Sequence, residues 1–375
     1  MIVDAERLRD FAAHVREMST FAFDTEFIGE VAYRPKTCLI QLATRERVAL
    51  VDPLAVRDVS LVWELVGDPA LVTIVHAGAS DLSPVRRHLR GDPANIIDVQ
   101  VAAGFVGVAY PSSLAKLVEQ FTGHPLAKGH TFTDWDARPL SASQLRYAAD
   151  DVRYLPLLWE TLRANLESRG RISWAQQETM ARIVDPHVFD ARTQMLRAAR
   201  GYDLDADQER LLEALCVTRD EIARREDLPH RTTIPDGSLL DIVRERPETK
   251  PALDAIRGLP RPVVARYGDE LLATLASHPS ARVKWFAVRR RREDDATVKA
   301  RIDAMLLAAQ SACAGLEIAP SLAVTRGDLE RFARSVLNAN GNGEFRMGGS
   351  APRLFAEHDW RRAAFGDAIE NAGGM

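Results

Sequence analysis

The sequence predicts an α/β domain, a mixed sheet covered by helices, followed by all-α helical bundles. In residues 1–168, short apolar runs typical of buried strands alternate with stretches whose apolar residues recur at helical spacing. Beyond about residue 170 the apolar spacing is helical, with Pro- and Gly-bearing turns between the segments. A chain of 375 residues is longer than one ordinary domain, so we expect two or three domains.

The first part of the α/β region predicts four strands and two helices. The strand-like runs are FAFDTEF (21–27), TCLIQLAT (37–44), RVALVDP (47–53) and LVTIVHAG (71–78). The pattern of VWELVGDP (62–69), between the third and fourth runs, is helical. DLSPVRRHLR (81–90) predicts the second helix, with Ser80 or Asp81 as its N-cap and Pro84 in its first turn.

The remainder of the α/β region predicts three helices. IIDVQVAAGFVG (96–107) is helical in pattern, and SSLAKLVEQFTG (112–123) is a helix that ends at Gly123. Residues 141–168 predict one long helix that opens with a serine cap. These elements complete the set expected for a sheet covered by helices.

The helical part of the chain divides into a linker and two domains. We expect a helical linker over 169–204, a small helical domain over 205–280 and a second one over 294–375. Between the domains lies a basic run that includes Arg289–Arg292. This run could contact nucleic-acid phosphates, although charge runs are more often solvated surface. The Gly- and Asn-rich stretch 338–353 predicts a mobile loop.

Composition excludes several classes of protein. With 46% hydrophobic and 27% charged residues the chain is globular, and neither disordered nor fibrous. A net charge of −4 argues against a uniformly basic nucleic-acid coat but does not exclude local basic patches. Three distant cysteines suit neither a disulfide framework nor a zinc site. No apolar run is long enough for a membrane span or a secretory leader, so we expect a cytoplasmic protein.

The strand FAFDTEF carries two carboxylates in an otherwise apolar run. Side chains alternate between the two faces of a strand, so Asp24 and Glu26 point the same way, while Phe27 belongs to the apolar face and is expected in the core. Two carboxylates held this close repel each other unless a proton or cation lies between them. One interpretation is a site for a hard divalent metal ion. The other is a strand whose acidic face is exposed to water.

Two further acids stand out in the α/β region. Asp81 follows the end of a strand, where open α/β sheets bind their ligands, although a helix N-cap is the simpler interpretation of this residue alone. Tyr147 and Asp151 are four residues apart and share one helix face. Asp150 lies about 100° around that helix, so only one acid of this pair can face the same site. Taken alone, Asp151 could be an exposed acid beside a half-buried tyrosine.

Taken together, these residues suggest a metal-dependent phosphodiesterase site. If the fold brings them together, four carboxylates and a phenol provide ligands for two Mg²⁺ or Mn²⁺ ions, namely Asp24, Glu26, Asp81 and Asp151 with Tyr147 beside them. Two such ions can stabilise both the attacking and the leaving oxygen of an in-line displacement. A tyrosine hydroxyl is a weak base at neutral pH but a good hydrogen-bonding group.

The order of these motifs resembles the DEDD superfamily of 3′→5′ exonucleases. DTE, then HAGASDL, then YAADD with its tyrosine four residues before the last acid, is similar to the tyrosine-type subclass. The stretch LAKGHTFTDWDARPLSASQLRYAADDVRYL resembles the ribonuclease D family in particular. The resemblance covers about the first 165 residues and implies an RNase H-like fold.

The resemblance also implies a role for each site residue. Asp24 would bridge two metal ions, Glu26 and Asp151 would complete the first site, and Asp81 would hold the second ion through water. Tyr147 would orient the attacking water. Asp150 stands where we expect a small residue, and the four-residue spacing still selects Asp151 rather than Asp150.

Three residues before the third motif are candidates for substrate binding. Lys128 and Arg138 could contact phosphates, and Trp135 could stack on a base. For Trp135 and Arg138 the alternative is structural, a loop held by an aromatic side chain and an Arg–carboxylate pair. His76, before the second motif, is expected to pack or to form hydrogen bonds rather than to bind metal.

Residues 205–280 resemble the helicase-and-RNase-D C-terminal (HRDC) domain, which assists nucleic-acid binding in that family. Thr218 stands where we expect a tryptophan, and a docking or spacer role is the alternative. Residues 294–375 resemble a second, degenerate HRDC-like bundle. The implied function is a metal-dependent 3′→5′ exoribonuclease that trims structured RNA such as tRNA precursors and releases 5′-nucleotides. Alternatives are a 3′→5′ exonuclease acting on DNA and a non-catalytic RNA-binding adaptor.

Overall fold

The computed structural model describes residues 1–29, 32–126, 134–183, 189–279, 287–288, 295–340 and 354–372. The chain forms two compact units. The first contains the described residues of 1–26, 37–186 and 293–375, and the second contains those of 27–36 and 187–292. The basic run Arg289–Arg292 and most of the predicted loop over 338–353 lie outside the described residues, and residues 338–340 end a helix.

The first unit is built on a five-stranded mixed sheet. Its strands are β1 (Thr20–Ile28), β2 (Lys36–Ala43), β3 (Val48–Val51), β4 (Val72–Val75) and β5 (Ile96–Asp98). The strand order is β3-β2-β1-β4-β5. The pairs β1–β4 and β4–β5 are parallel, whereas β2–β3 is antiparallel. The predicted α/β fold with a mixed sheet is therefore confirmed.

Helices cover both faces of this sheet. Those of residues 1–183 are α1 (Ala5–Met18), α2 (Ser60–Gly67), α3 (Ser83–Leu89), α4 (Val99–Gly104), α5 (Leu114–Thr122), α6 (Ala142–Arg153), α7 (Leu155–Ser168) and α8 (Ile172–Arg182). Phe21 and Phe23 of β1 point into a core shared with α1, α2 and α3. Ala22, between them, points into a second core shared with α4, α5 and α7. The period-2 pattern of β1 thus directs its phenylalanines to one face and its acids to the other.

Two predicted helices differ from the structure. In the segment 96–107 the β-branched pair at its start pairs with β4 as strand β5, and the helix begins only at Val99. Asp98 caps that helix by accepting from the Gln100 N–H at 2.8 Å. The long helix over 141–168 is broken at Tyr154, because Pro156 cannot donate a backbone hydrogen bond and instead lies in the first turn of α7.

The predicted helix ends are only partly correct. Gly123 ends α5 with a positive φ of 74°, and Ser141 caps α6 in a reciprocal capping box with Gln144. Neither Ser80 nor Asp81 caps α3, which begins at Ser83 without any side-chain cap. The carboxylate of Asp81 is therefore not used for helix capping.

The C-terminal helices pack in the first unit. They are α15 (Asp295–Leu316), α16 (Pro320–Ala323), α17 (Arg326–Asn340), α18 (Trp360–Phe365) and α19 (Ala368–Ala372). Their buried side chains join the core that contains Ala22, and the rings of Phe105 and Trp360 meet edge to face at 4.7 Å. In the described parts of the predicted domain over 294–375, residues 295–340 and 354–372, the chain is mainly helical, and these helices share a core with the sheet domain.

The second unit is a helical bundle with one short strand pair. Its elements are α9 (Ala191–Ala198), β6 (Tyr202–Asp203), α10 (Ala206–Glu226), α11 (His230–Thr233), α12 (Asp236–Glu245), α13 (Lys250–Asp254), α14 (Arg261–Ala276) and β7 (Ala287–Val288). Met195 of α9 belongs to the core of this bundle, whereas Ala175 of α8 belongs to a core of the first unit. The expected linker over 169–204 is thus divided between the two units.

Thr218 lies inside this bundle. Its hydroxyl contacts the Thr274 hydroxyl at 2.8 Å and donates to the Ala214 carbonyl at 3.2 Å, and only 8% of the residue is exposed. The departure from the expected tryptophan therefore changes the interior of the bundle.

No helix within the described ranges is long and apolar enough to cross a membrane.

Candidate active site

Strand β1 presents Asp24 and Glu26 on the same face of the sheet, as the alternation predicts. Both are partly exposed, while Thr25 between them is buried on the other face. The expectation that Phe27 is in the core is wrong, because 36% of it is exposed. In the parallel register Ala22 pairs with Ile74, so β4, which ends at Val75, is too short to cover the end of β1.

Asp81 lies in the turn between β4 and α3, at the carboxyl edge of the parallel strands. Its carboxylate accepts a hydrogen bond of 2.6 Å from the Thr25 hydroxyl, and only 8% of the residue is exposed. This contact joins the second motif directly to the first. The position is the one that open α/β sheets use for ligands.

Helix α6 contributes the tyrosine and the last acid. The Tyr147 hydroxyl is hydrogen-bonded to the Asp151 carboxylate one turn further along, as residues four apart on a helix face allow. Asp150 instead pairs with Arg153 at 3.2 Å. The helix geometry therefore directs Asp151, and not Asp150, to the acids of β1, as predicted.

The electrostatics show that these acids share one environment. Burial raises the pKa of Asp24 well above its ordinary value, and the charges of Asp81, Asp151 and Glu26 raise it further. Burial together with the charges of Asp151 and Asp81 raises the pKa of Glu26 to about 8. The four carboxylates thus interact strongly enough that the metal-free site favours protons at neutral pH.

Burial also raises the pKa values of Asp151, Asp81 and Tyr147. Burial and the charges of Asp150 and Asp81 raise the pKa of Asp151 to about 7, against the lowering effect of the Tyr147 hydrogen bond. Burial raises the pKa of Asp81, and the hydrogen bond from Thr25 partly offsets this rise. The pKa of Tyr147 is raised above its ordinary value by burial and the neighbouring acids. Its phenol is therefore fully protonated at neutral pH.

The donor chemistry of the site fits hard divalent cations. Its polar groups are carboxylate oxygens, which Mg²⁺ and Mn²⁺ prefer, and their mutual repulsion is relieved by a bound cation. Among the described residues no three acidic, imidazole or thiol side chains come close enough to hold a metal ion by themselves. Mg²⁺ sites commonly take only one or two carboxylates, with water and phosphate supplying the remaining ligands.

Arg138 is hydrogen-bonded to a carboxylate and to several backbone carbonyls. Its guanidinium donates to both carboxylate oxygens of Asp52, at 2.7 and 2.8 Å. It also donates to the backbone carbonyls of Cys38 at 2.7 Å and Trp135 at 2.8 Å. This geometry favours the structural alternative, in which an Arg–carboxylate pair holds the loop before α6.

Trp135 packs beside the candidate site. It is 3% exposed, and its ring centre lies 6.2 Å from that of Tyr147. The indole thus limits the movement of the phenol that contacts Asp151. Lys128, the third candidate for substrate binding, lies outside the described residues.

His76 forms hydrogen bonds, as expected. Its Nε2 donates to the Ser112 carbonyl at 3.0 Å, and the Gln100 side-chain amide donates to the same carbonyl at 2.9 Å. His76 therefore ties the turn after β4 to the loop before α5.

Sequence reasoning missed two polar residues of the site. Thr25 lies between the two acids and shares the strand face of the phenylalanines, yet its hydroxyl reaches Asp81. Gln41 of β2 is fully buried, and its amide nitrogen lies 3.5 Å from Glu26 Oε1. The available signal was the presence of Thr25 among phenylalanines and of Gln41 in an apolar strand, since buried polar side chains need partners.

Comparison with known proteins identifies two domain families in the chain. The 3′→5′ exonuclease family matches residues 1–167, and the HRDC domain family matches residues 208–275. The first match contains the five site residues described above, and the second falls within the helical bundle of the second unit.

Similar proteins cover nearly the whole chain. Ribonuclease D of Granulibacter bethesdensis is 33% identical over 98% of this chain and 91% of its own length. Ribonuclease D of Gluconacetobacter diazotrophicus is 30% identical, with the same two coverages. The crystal structure of Escherichia coli RNase D, described as an exoribonuclease involved in structured RNA processing, is similar with a TM-score of 0.81 at 26% identity, covering 99% of this chain and 97% of that one. The chain therefore belongs to the ribonuclease D family of 3′→5′ exoribonucleases.

Proposed function

We propose that this exoribonuclease trims the 3′ ends of structured RNA, such as tRNA precursors, by two-metal-ion hydrolysis that releases 5′-nucleotides. The observation that carries this proposal is the electrostatic coupling of four carboxylates from three separate motifs. Such a cluster is costly to maintain without a function, because each acid raises the cost of ionising the others. Metal dependence is a general property of the DEDD exonucleases, to which this family belongs.

The proposed metal ligands are the carboxylates of the three motifs. Asp24 would contact both ions, Glu26 and Asp151 would complete one site, and Asp81 would serve the other. Because no three of the described acids lie close enough to hold an ion in the metal-free structure, the bound cation would draw Asp24, Glu26 and Asp151 closer together. When bound, the ions would stabilise the negative charge that develops on the attacking and leaving oxygens of the phosphodiester. Asp24, Glu26 and Asp151 are each partly exposed, so these acids do not lie in the fully buried core of the unit.

Tyr147 has a distinct role in this proposal. Its phenol keeps its proton at neutral pH, so it acts as a hydrogen-bonding group that positions the attacking water, not as a general base. Asp151 anchors the hydroxyl from one side, and the buried ring of Trp135 restricts the phenol from another. Both contacts keep the reactive geometry fixed before substrate arrives.

The substrate proposal rests on the family and on the HRDC domain that the chain contains. The E. coli relative is described as acting in structured RNA processing, and the HRDC domain of this chain would add RNA-binding surface. We expect the preferred RNA to carry a single-stranded 3′ end next to a folded region. The expected cytoplasmic location remains part of this proposal, since three buried cysteines that form no disulfide suit a reducing compartment.

The test compares three substrates of matched 3′ sequence: a tRNA precursor with a 3′ trailer, an unstructured RNA and a DNA strand. We expect nucleoside 5′-monophosphates as the product, identified by chromatography, with the RNA substrates shortened faster than the DNA. Cleavage of DNA at the rate of RNA would favour the alternative DNA exonuclease. Products carrying a 3′-phosphate would contradict the proposed direction of phosphodiester cleavage.

A further inference from the structure

Thr25 contacts acids of two different motifs. Its hydroxyl donates to Asp81 Oδ1 at 2.6 Å, across a separation of 56 residues, and its backbone N–H donates to Asp24 Oδ1 at 2.9 Å. Both distances are typical of strong hydrogen bonds to a carboxylate. One residue therefore fixes one oxygen of each of two acids.

The surroundings of Thr25 make this contact rigid. Thr25 is 5% exposed and lies in β1, so its backbone is held by the sheet and its β-branched side chain has few rotamers. Asp81 is 8% exposed and lies outside the sheet, in the turn between β4 and α3, whose main chain is held by the Leu82 N–H bond to the Gly78 carbonyl at 3.2 Å. That bond fixes the backbone of the turn but not the rotation of the Asp81 carboxylate, which the Thr25 hydroxyl contacts directly.

We propose that Thr25 is a positioning residue that sets the Asp81 carboxylate relative to Asp24, so that the two acids present their free oxygens to the same divalent cation pair. This inference rests on the proposed function of the acids as metal ligands. Outer partners that orient metal ligands commonly affect metal affinity or activity by about 10–100-fold. Without the hydroxyl, Asp81 would lose the 2.6 Å hydrogen bond that ties its Oδ1 to β1, while its interactions with the Thr25 N–H and with Asp24 would remain.

A purely structural role is the competing explanation, because a buried hydroxyl also contributes to stability. The structure offers a matched control for it. Thr73 of β4 is fully buried in the same sheet, and its hydroxyl has no hydrogen-bond partner among the described residues. Thr73→Val and Thr25→Val therefore remove the same atom from the same sheet, and only Thr25→Val removes a contact with an acid.

The experiment measures Mn²⁺ binding to the full-length protein without RNA, by calorimetry or electron paramagnetic resonance, and thermal unfolding in EDTA. We expect Thr25→Val to weaken Mn²⁺ binding by about tenfold or more, Thr25→Ser to retain near-normal binding, and Thr73→Val to bind as the original protein does. The Mn²⁺ concentration needed for half-maximal RNA shortening should shift by the same factor. If Thr25→Val unfolds, Thr25→Ser and Thr25→Cys replace it, since serine keeps the donor and cysteine weakens it.

Two results would overturn the inference, and they are distinguishable. If the original protein binds Mn²⁺ and Asp24→Ala does not, but Thr25→Val binds as tightly as Thr73→Val, then Thr25 is structural and the proposed function stands. If the original protein binds Mn²⁺ no better than Asp24→Ala does, then the proposed metal site itself is wrong, and the role of Thr25 is excluded with it.

Discussion

Arg138 binds the carboxylate of Asp52 through two guanidinium nitrogens, at 2.7 and 2.8 Å, and through the same guanidinium holds the carbonyl of Trp135. Asp52 is 3% exposed, so the pair lies at the edge of the core. The Arg138 charge and hydrogen bonds hold the pKa of Asp52 below its ordinary value. A pair of residues 86 positions apart thus secures the loop that carries Trp135 beside Tyr147.

This pair predicts the effect of Arg138→Ala on stability. The substitution leaves the Asp52 carboxylate buried without its partner, so we expect the free energy of unfolding to fall by about 3 kcal/mol in urea titrations. In an Asp52→Ala background the further loss should be much smaller, because the two residues act as a unit. If Arg138→Ala instead weakened RNA binding and left the free energy of unfolding unchanged, in the original protein and in the Asp52→Ala background alike, Arg138 would be assigned to phosphate binding.

The raised carboxylate pKa values predict how pH changes the stability of the metal-free protein. The pKa of Glu26 is about 8 and that of Asp151 about 7 in the folded chain, above the ordinary values for these groups. The folded state therefore retains protons that the unfolded state releases, and stability falls as pH rises from about 5 to 8. We expect this fall to be of the order of 1–3 kcal/mol in EDTA, measured by urea unfolding at several pH values.

Glu26→Gln is the control for this pH dependence, because glutamine cannot ionise. Its stability should fall less steeply between pH 5 and 8 than that of the original protein. Added Mg²⁺ should oppose the fall in the original protein, since bound cations favour the ionised acids. A slope unaffected by Glu26→Gln and by Mg²⁺ would contradict the electrostatic description of the site.

The adjacent acids Asp150 and Asp151 should respond differently to substitution. Asp151→Asn removes a proposed metal ligand, and we expect the rate of RNA shortening to fall by more than about a hundredfold. Asp150→Asn removes an acid that pairs with Arg153 outside the site, so the rate should stay within a few-fold. Tyr147→Phe removes the hydrogen-bonding group, and a loss of about a hundredfold is expected. Single-turnover kinetics with one labelled RNA would compare all three. Equal losses for Asp150→Asn and Asp151→Asn would contradict the helix-face argument.

Glu178 predicts how strongly the C-terminal helices contribute to stability. Its buried carboxylate accepts from the Trp360 indole at 2.7 Å and from Arg361 at 2.7 Å, and pairs with Arg182 at 2.5 Å. Glu178→Ala leaves two partly buried guanidinium groups without this partner, so we expect a loss of about 3–5 kcal/mol in urea unfolding.

Glu160→Ala provides the comparison, because Glu160 pairs with Arg45 at 3.0 Å on the surface, with about half of each side chain exposed. An exposed pair of this kind contributes about 0–1 kcal/mol. Similar losses in the free energy of unfolding for Glu178→Ala and Glu160→Ala would show that the contacts of Glu178 with Trp360 and Arg361 do not hold the C-terminal helices in the first unit.

Much of the site could be predicted from local patterns. The strand period places Asp24 and Glu26 on one face, and the four-residue helix spacing pairs Tyr147 with Asp151, because both follow from backbone geometry alone. That Asp81 joins them follows from the carboxyl edge of a parallel sheet. These relationships depend little on side-chain packing, so they can be predicted from the sequence.

The remaining features depend on tertiary register, which local patterns do not specify. Phe27 is exposed because β4 ends before it. The sequence FAFDTEF does not specify the length of the neighbouring strand. The Thr25–Asp81 contact depends on the path of the turn after β4. The break at Tyr154 was available from Pro156, whereas strand β5 is a short apolar run that periodicity alone does not separate from a helix.

The most direct test of the account is the shortening of a single-stranded RNA labelled at its 5′ end. The original protein, Asp24→Ala and the control Asp150→Asn would each be incubated with Mg²⁺, with Mn²⁺ and with EDTA. We expect a ladder that shortens from the 3′ end with the original protein and Asp150→Asn, and none with Asp24→Ala or in EDTA. Shortening that persists in EDTA, or with Asp24→Ala at the original rate, would contradict the central claim that these carboxylates act through divalent metal ions.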